Sequence, residues 1–419
     1  MKTHIHQMLL ALIISVAVAA LENPWTISYQ SFHTDGYFSA LYSIDHLESE
    51  YMLSSYKNDY LDASAIFNSY IGNYQRGIQK FDLISYSTNI YDPNYEHNFL
   101  TKETEDFYPY PATEEIIQLT NNFRAVFINE AHHIPQHRAL TMSLLKALYK
   151  KGFRYFAAET LNLFDEKELN NRKYPLKGTG FYSVEPVYAD LIRQALKIGY
   201  TVISYEHKLP CNDNSTPLKC QNEREQGQAR NLLKKTFQID PQAKILVHAG
   251  YGHINEKGDE EWIPMARYFK RISGIDPLTI DQVTMTEHSH QKFENIIYTE
   301  IMKKYKTKEP IILKRNKDIW TGDMKDNYDV LVFNPRTSKT SRPNWLFSIA
   351  NRVKKQFDKI HCEEFPCHVQ AFIKSEMQDQ SIPFDQFVIE NSDDKNYFLS
   401  LDKSYKYLFK VNNIIKDFD

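Results

Sequence analysis

The sequence predicts an α/β protein with a mainly parallel sheet flanked by helices. Four short apolar segments, at residues 125–129, 153–158, 200–205 and 243–247, are separated by segments whose apolar residues recur at helical spacing. Strands that alternate with helices of this length form βαβ units with right-handed crossovers. A polar side chain directly follows each of the four apolar segments. We therefore expect an α/β core over residues 121–335, with polar groups along one edge of its sheet.

Two further regions flank the expected core. Residues 21–120 carry apolar side chains at helical spacing and predict a helical N-terminal extension or cap. Residues 345–419 predict a small β-rich unit, because apolar side chains such as Tyr407 and Phe409 alternate with polar ones. We expect a short helix at residues 349–360 in front of its strands.

The N-terminus predicts a signal peptide over residues 1–20. Lys2 precedes an apolar run at residues 8–18, and Ala17-Val18-Ala19 fits the small-x-small cleavage pattern. A membrane anchor is the alternative, but a spanning helix needs about 20 apolar residues. We therefore expect an exported protein, periplasmic or extracellular, from a bacterial source.

The composition limits the partners. The formal net charge is -3 and the pI about 6.6, which provides no basic surface for nucleic acid. No later apolar run is long enough to span a bilayer. We expect a small-molecule or peptide substrate, no nucleic acid and no stable membrane span.

The four cysteines fall into two close pairs, Cys211 with Cys220 and Cys362 with Cys367. In an exported protein, two local disulfides are the simplest interpretation. Each would contribute about 2–3 kcal/mol by the chain-entropy model. A four-cysteine metal site would need Cys-x-x-Cys spacing, which the sequence lacks.

Each predicted strand ends in side chains that can carry chemistry. They are Glu130 with His132 and His133, then Glu159, then Glu206 with His207, then His248. The carboxyl ends of parallel strands share one edge, where ligands bind. Crowded carboxylates and imidazoles act as general acids and bases, and the same groups can hold a metal. Because no strand end has a Gly-x-Ser-x-Gly elbow, activated water is the expected nucleophile.

Several of these segments resemble one superfamily. Glu130-Ala131-His132-His133 resembles the Glu-x-x-His motif at the first strand of erythromycin esterase-like proteins, a motif found in looser form in the ChaN-like haem-uptake and Tiki proteins. Glu159 matches the family's second acid, and Arg224-Glu225-Gln226 resembles the start of its Arg-Glu helix. Residues 247–253 resemble its fourth-strand histidine element. The resemblance covers residues 114–288.

The resemblance implies a hydrolase that cleaves an ester, lactone or amide with water. His133 would be the general base, Glu130 and Glu159 would orient it or share its proton, and His253 would stabilise the oxyanion. Further candidates for substrate binding or support of the catalytic groups are His132, Arg138, His207, Arg224 and His248.

Two other functions remain open for the same edge. One is a non-catalytic haem- or metal-binding protein of the ChaN-like type, and the other is a Tiki-like metallopeptidase. The cofactor is therefore open between none, a divalent metal and haem. The ligands of a metal would be Glu130, His133, Glu159 and His253.

The motif also departs from the family pattern. Asn129 stands where a glycine is usual and His132 where a small residue is usual, so the pocket would suit a different ligand or a metal. Arg138 is closer to His133 than the family arginine is to its histidine. We expect His137 to be a solvated residue of the first helical turn. His288 and His290 are expected in a surface loop, and His248 fits a core histidine equally well.

Overall fold

The computed structural model describes residues 21–85, 103–207, 215–338, 342–358, 362–391, 397–412 and 414–416. The chain divides into two compact units, which meet in sequence between Tyr60 and Leu61. The expected signal peptide, residues 1–20, lies outside the described residues. So does Cys211, and with it the expected Cys211–Cys220 bridge.

The N-terminal part is helical, as the spacing of its apolar residues predicts. The first unit contains helices α1 (Pro24–Thr34), α2 (Tyr37–Asp45) and α3 (Glu48–Met52), α4 (Lys57–Tyr70) runs across the division, and α5 (Tyr74–Ser85) lies in the second unit. Helix α1 begins where it does because the Asn23 side chain accepts hydrogen bonds from the backbone N–H groups of Trp25 and Thr26.

The second unit holds the remaining elements. Its helices up to residue 305 are α6 (Ala112–Leu119), α7 (Gln136–Lys150), α8 (Glu166–Arg172), α9 (Pro186–Ile198), α10 (Pro217–Lys235), α11 (Met265–Ser273) and α12 (Ile296–Tyr305). Its strands up to residue 331 are β1 (Tyr108–Pro111), β2 (Ala125–Glu130), β3 (Tyr155–Ala158), β4 (Thr201–Ser204), β5 (Ile245–Gly250), β6 (Leu278–Asp281), β7 (Ile311–Arg315), β8 (Asp318–Ile319) and β9 (Val330–Leu331).

Six of these strands form the central sheet, in the order β4-β3-β5-β2-β6-β9. All of its strand pairs are parallel, which confirms the predicted α/β class with a mainly parallel sheet. The first strand of this sheet along the chain is β2. Strands β3 and β4 follow towards one edge of the sheet, and β5 then lies between β3 and β2. Strands β1, β7 and β8 form a separate antiparallel sheet.

Both faces of the central sheet are covered. In β2, Val126 and Ile128 belong to an apolar cluster that includes residues of α6, α7 and α9. Ala125 and Phe127, which point the other way, belong to a cluster that includes residues of α10, α11 and α12. A strand buried on both faces is apolar along most of its length, which explains the continuous apolar run at residues 125–128 in front of Asn129 and Glu130.

The C-terminal part is built from antiparallel strands, which confirms the expected β-rich region. They are β10 (Arg352–Gln356), β11 (Cys367–Ile373), β12 (Asp385–Ile389), β13 (Phe398–Asp402), β14 (Tyr407–Val411) and β15 (Ile414–Lys416). One sheet has the order β12-β11-β14-β15, and β10 pairs with β13. Cys362 and Cys367 form the expected disulfide, with their Cα atoms 5.8 Å apart.

The prediction of a short helix at residues 349–360 was wrong. Residues Arg352–Gln356 form β10 and pair residue by residue with Phe398–Asp402. Apolar side chains four residues apart, such as Val353 and Phe357, fit a helix by spacing alone. The partner strand, some 45 residues away in sequence, supplies backbone hydrogen bonds that local spacing does not reveal.

None of the helices in the described ranges is both long enough and apolar enough to cross a membrane.

Candidate active site

Three neighbouring strands bring the candidate acids together at the carboxyl edge of the sheet. Strand β2 ends at Glu130, which lies opposite Gly250, the last residue of β5. On the other side of β5, Ala158 of β3 lies opposite His248. The backbone N–H of Glu159 then donates to the His248 carbonyl at 3.1 Å. Glu130 and Glu159 therefore flank the end of β5.

The Glu130 carboxylate is buried and fully engaged. Arg138 donates to both of its oxygens, from Nε at 2.6 Å and from Nη2 at 2.7 Å. His132 Nδ1 lies 2.9 Å from Oε1, and His248 Nε2 lies 2.7 Å from Oε2. Burial alone would raise the pKa of Glu130, but Arg138 and His248 outweigh it and hold this pKa well below its usual value. Glu130 is therefore an anion at neutral pH.

Arg138, in the first turn of α7, links Glu130 to a second buried acid. Its Nη1 donates to Glu185 Oε2 at 2.8 Å, and its Nη2 donates to the His132 carbonyl at 2.8 Å. Glu185 is the N-cap of α9, where Oε2 also accepts from the Tyr188 N–H. The Tyr188 ring lies 4.8 Å from the guanidinium. One buried cation thus ties the end of β2 to the starts of two helices.

His132 lies between the two strand-end acids. Its Nδ1 is bonded to Glu130, and its Nε2 lies 3.9 Å from Glu159 Oε2. The ring stacks on Tyr182 at a centroid distance of 3.6 Å. Its side chain retains 9% exposure. Because an ionised carboxylate only accepts hydrogen bonds, Nδ1 carries the proton and a neutral His132 keeps its lone pair on Nε2.

Glu159 forms the second half of the site, together with Arg224 and His253. Arg224 Nη2 donates to Glu159 Oε1 at 2.8 Å, and His253 Nε2 lies 3.4 Å from the same oxygen. The Gly250 N–H donates to Oε2. Burial would raise the pKa of Glu159, but His253, His132 and Arg224 hold it well below its usual value. The Arg224 side chain, on α10, is 32% exposed.

His253 is a cation at neutral pH. Burial opposes its charge, but Glu159 and Glu225 together raise the pKa of His253 to about 10. Glu225 Oε2 lies 2.8 Å from Nδ1. Arg224 Nη1 lies 3.1 Å from Nε2 and would donate to it only if His253 were neutral. The two flanking carboxylates favour the protonated form, in which Nε2 donates to Glu159.

Because of this charge, the free energy of unfolding should fall as the pH rises into the alkaline range. The pKa of His253, about 10 in the folded state, exceeds the ordinary value of about 6.5. The contribution is therefore complete below pH of about 6.5 and is lost as pH rises towards about 10. We expect urea denaturation to show a steeper loss of unfolding free energy over this interval in the wild type than in His253→Gln. Equal slopes in the two proteins would contradict a raised pKa.

His133 points into different surroundings from His132. Its ring stacks on Phe81 of α5 at 3.8 Å, and its Nδ1 lies 3.2 Å from the Tyr251 hydroxyl. Burial, reinforced by His137 and His288, lowers the pKa of His133 well below its usual value. No hydrogen bond joins His133 to Glu130 or Glu159 among the described residues. The predicted Glu130–His133 pairing is therefore replaced by Glu130–His132.

Three other histidines have structural partners. His137 is fully buried, so the expectation of a solvated residue was wrong; its Nδ1 accepts from the Ala131 N–H at 3.0 Å, and burial lowers its pKa to about 3. His248 is also fully buried, and its Nδ1 lies 3.1 Å from Thr141 Oγ1. His288 Nδ1 lies 2.6 Å from the buried Asp82 carboxylate. All three are held in place.

Two residues of the site have a left-handed backbone conformation, and one glycine allows a side chain to lie against the backbone. Thr160, directly after Glu159, has φ of 58°, and Tyr251, directly after Gly250, has φ of 42°. Such left-handed residues other than glycine concentrate at functional sites. A Cβ on Gly250 would lie 2.3 Å from His132 Nε2, so only glycine allows His132 to lie against the end of β5.

Glu206, which follows strand β4, accepts hydrogen bonds from Arg224 and holds its side chain in place. Glu206 accepts from Arg224 Nε and from Gln228 Nε2, at 2.9 and 3.0 Å. His207 lies against α10 at Gly227, where a Cβ would come within 2.1 Å of its Nδ1. Its backbone N–H donates to Glu206 at 3.0 Å. His207 is thus beside the site, and its ring packs against a helix.

The four residues named as metal ligands do not fit a metal ion. Within the described ranges, no group of three or more His, Cys, Asp or Glu is arranged to hold one. Both Glu130 oxygens are bonded to Arg138, so a dication there would lie beside a buried guanidinium. Both nitrogens of His253 face carboxylates, and His133 lies apart with Tyr251.

Several site residues were not predicted from the sequence. Glu185 could have been found, because an acid before Pro186 at a helix start is an N-cap signal. Glu225 lies beside the predicted Arg224. Phe81, Tyr182 and Tyr251 carried no such signal, because an aromatic residue in a helix or loop resembles any packed side chain.

Comparisons with known proteins leave the family open. No family model matches the chain, and a comparison with curated proteins found no match. Similar solved structures include the type III effector HopBA1, 16% identical over 44% of this chain and 87% of that one, with a TM-score of 0.30. RRSP, a MARTX toxin effector domain from Vibrio vulnificus, is 14% identical over 62% of this chain and 55% of that one, with a TM-score of 0.33.

A structure of Pasteurella multocida toxin, described as having a thiol-protease-like catalytic triad in its C-terminal region, is also similar. It is 10% identical over 94% of this chain and 58% of that one, with a TM-score of 0.31. The chain thus spans little more than half the length of this toxin chain and of RRSP. At such identities and TM-scores, these similarities carry no inference about function.

Proposed function

We propose that this protein is a hydrolase that cleaves an ester, lactone or amide with water activated by His132. The observation that carries the proposal is the buried chain Arg138–Glu130–His132, with His132 Nδ1 2.9 Å from a carboxylate that Arg138 holds ionised. A base oriented by a carboxylate is the arrangement on which triads and dyads depend. The resemblance to erythromycin esterase-like proteins supports the same class of reaction.

The proposed reaction has two proton transfers. Water attacks the substrate carbonyl carbon while its proton passes to His132 Nε2. The imidazolium is stabilised by Glu130, at 2.9 Å from Nδ1. The same Nε2 then returns the proton to the leaving oxygen or nitrogen as the carbonyl re-forms. His132 suits this role because its ring retains some exposure beside Glu159.

Two cations support the oxyanion. Arg224 and protonated His253 both lie at Glu159, at 2.8 and 3.4 Å from Oε1. Fixed positive groups in a partly buried cleft stabilise negative charge that develops on a carbonyl oxygen. Both nitrogens of His253 face carboxylates, so His253 contributes only its positive charge, and the hydrogen bond to the oxyanion comes from Arg224.

The choice of His132 over His133 rests on partners and access. His132 contacts both strand-end acids, whereas His133 bonds to Tyr251 and is covered by Phe81. A general base needs a partner that stabilises its protonated form, and a buried histidine with only a tyrosine hydroxyl lacks one.

The other functions for this edge remain alternatives. Haem or metal binding and metallopeptidase activity have no contact among the described residues that favours them over hydrolysis. Export through residues 1–20 likewise remains part of the proposal, since the reasons for it lie in the sequence.

The test is a substrate panel with the full mature chain. We expect turnover of at least one of p-nitrophenyl acetate, p-nitrophenyl butyrate, γ-butyrolactone and an acyl p-nitroanilide, undiminished after dialysis against EDTA. Heat-denatured protein is the control. Activity that EDTA removes and Zn²⁺ restores would support the metallopeptidase. No turnover, together with a Soret band on haem titration, would support the binding protein.

A further inference from the structure

A cavity lies away from the candidate active site, beside helices α7 and α9. It has a volume of about 860 Å³, and its walls also include residues 308–310, 345 and 348–351. None of the proposed catalytic residues lines it. Its volume is within the range of small-molecule sites, which is roughly 300–1,000 Å³. The cavity therefore offers room for a ligand that the hydrolytic site does not bind.

The cavity is largely apolar. Trp345 and Ile349 on one side belong to a buried cluster against which Met142 of α7 packs. Leu140, Ile198 and Pro310 are further apolar residues of the lining. An apolar group that leaves water for such a cavity gains about 25 cal/mol for each Å² that it buries. The body of a fitting ligand is therefore apolar.

The charged residues of the same cavity are mostly positive. Lys146, Lys150, Lys197 and Lys308 line it, and Glu309 is the single acid among its described lining residues. Four positive charges and one negative give the lining +3, although the whole chain carries -3. Like charges four residues apart on a helix, such as Lys146 and Lys150, repel each other. An anion would relieve this repulsion.

The lysines are available for such an anion. Lys197 donates to the Tyr405 hydroxyl at 3.4 Å and lies 4.8 Å from the centre of that ring, and no carboxylate among the described residues pairs with it. Lys146, Lys150 and Lys308 are exposed, and none of them forms an ion pair with a residue in the described ranges. Three ammonium groups that have no counter-charge in the described part of the chain lie beside an apolar cavity, which favours a ligand that is both apolar and anionic.

We propose that this cavity binds a single-chain anionic amphiphile of the fatty-acid class. The apolar residues take the hydrocarbon chain and the lysines take the carboxylate. A neutral apolar ligand would leave the charges of Lys146, Lys150 and Lys308 uncompensated, and a cationic amphiphile would be repelled. The site is separate from the hydrolytic centre, so it stands or falls independently of the proposed reaction.

The test measures binding to the full chain by titration calorimetry below the micelle concentration. The probes are dodecanoate and dodecyltrimethylammonium, which share the chain length and differ in the sign of the headgroup. We expect saturable binding of dodecanoate, at least about tenfold tighter than binding of the cationic probe, and weaker at 0.5 M NaCl, since salt screens exposed charges.

Paired variants locate the site. Lys146→Glu with Lys150→Glu should weaken dodecanoate binding by about tenfold or more, because two attractions become repulsions. The matched control is Arg230→Glu with Lys234→Glu, which makes the same charge change at two exposed positions four residues apart on α10 and lies outside the cavity. It should leave binding unchanged. Thermal unfolding verifies that both variants are folded, and Lys146→Gln with Lys150→Gln replaces the first if it is not.

Three results would overturn the proposal. They are the absence of saturable dodecanoate binding, equal binding of the two probes, and equal weakening by the cavity variant and the α10 variant. The last two would indicate adsorption of a detergent chain to the surface in general.

Discussion

Replacement of His132 by glutamine should lower kcat by about 10²–10⁴-fold, the usual contribution of a general acid–base. Glutamine can keep a hydrogen bond to Glu130 and much of the packing on Tyr182, but it cannot take a proton. The loss in kcat therefore reports the contribution of proton transfer and not that of the packing of the site. It is measured on whichever ester of the panel the wild type turns over fastest, with thermal unfolding recorded for each variant.

His133→Gln is the informative comparison for this prediction. Because His133 lies under Phe81 and bonds to Tyr251, its loss should cost less than about tenfold, through repacking alone. His290→Gln, at an exposed position, is the control for the substitution itself. A severe loss in His133→Gln with an active His132→Gln would return the base to His133, as the Glu-x-x-His motif implies.

Arg138→Ala should lower the free energy of unfolding by about 3–5 kcal/mol, the cost of removing one partner from a buried ion pair. Glu130 and Glu185 would both lose their guanidinium in a region where neither reaches solvent. Glu130 would then no longer be held ionised by its strongest partner, and His132 would lose its orientation. Urea denaturation followed by circular dichroism measures the loss.

Two further variants serve as comparisons for Arg138→Ala. Lys219→Ala removes an exposed ion pair with Glu223 and should cost about 1 kcal/mol or less. Arg138→Lys keeps the charge but cannot donate to Glu130 from two nitrogens while also reaching Glu185, so an intermediate loss is expected, and it serves if Arg138→Ala does not fold. A loss in Arg138→Ala no larger than that in Lys219→Ala would show that the buried network contributes little.

The acids that follow the apolar strand segments could be predicted from the sequence. Glu130 and Glu159 each end an apolar run that is buried on both faces, and parallel strands put such ends on one edge. Arg224 was predicted from the resemblance of residues 224–226 to the start of a family helix, although α10 begins earlier, at Pro217. The inferences about Glu130 and Glu159 need only periodicity and the handedness of βαβ units, which are local or general properties of the chain.

The partner of Glu130 could not be predicted in the same way. His132 and His133 are adjacent in a turn, so spacing offers no reason to prefer the one that bonds to Glu130. The choice is made by Tyr182, which stacks on His132, and by Phe81, which stacks on His133. Both rings come from segments about 50 residues away in sequence. The same applies to His137, whose burial depends on Thr286 and Gln282.

The sequence alone therefore determined the class of the fold and the edge that carries the acids. Apolar periodicity follows from burial, and burial follows from secondary structure that each segment forms with little choice. The tertiary structure alone decided which histidine meets Glu130, that Arg138 joins Glu130 to Glu185, and that four lysines line a largely apolar cavity. These features depend on side chains from distant segments meeting at atomic distances, and such distances follow from packing of the whole unit rather than from any local pattern.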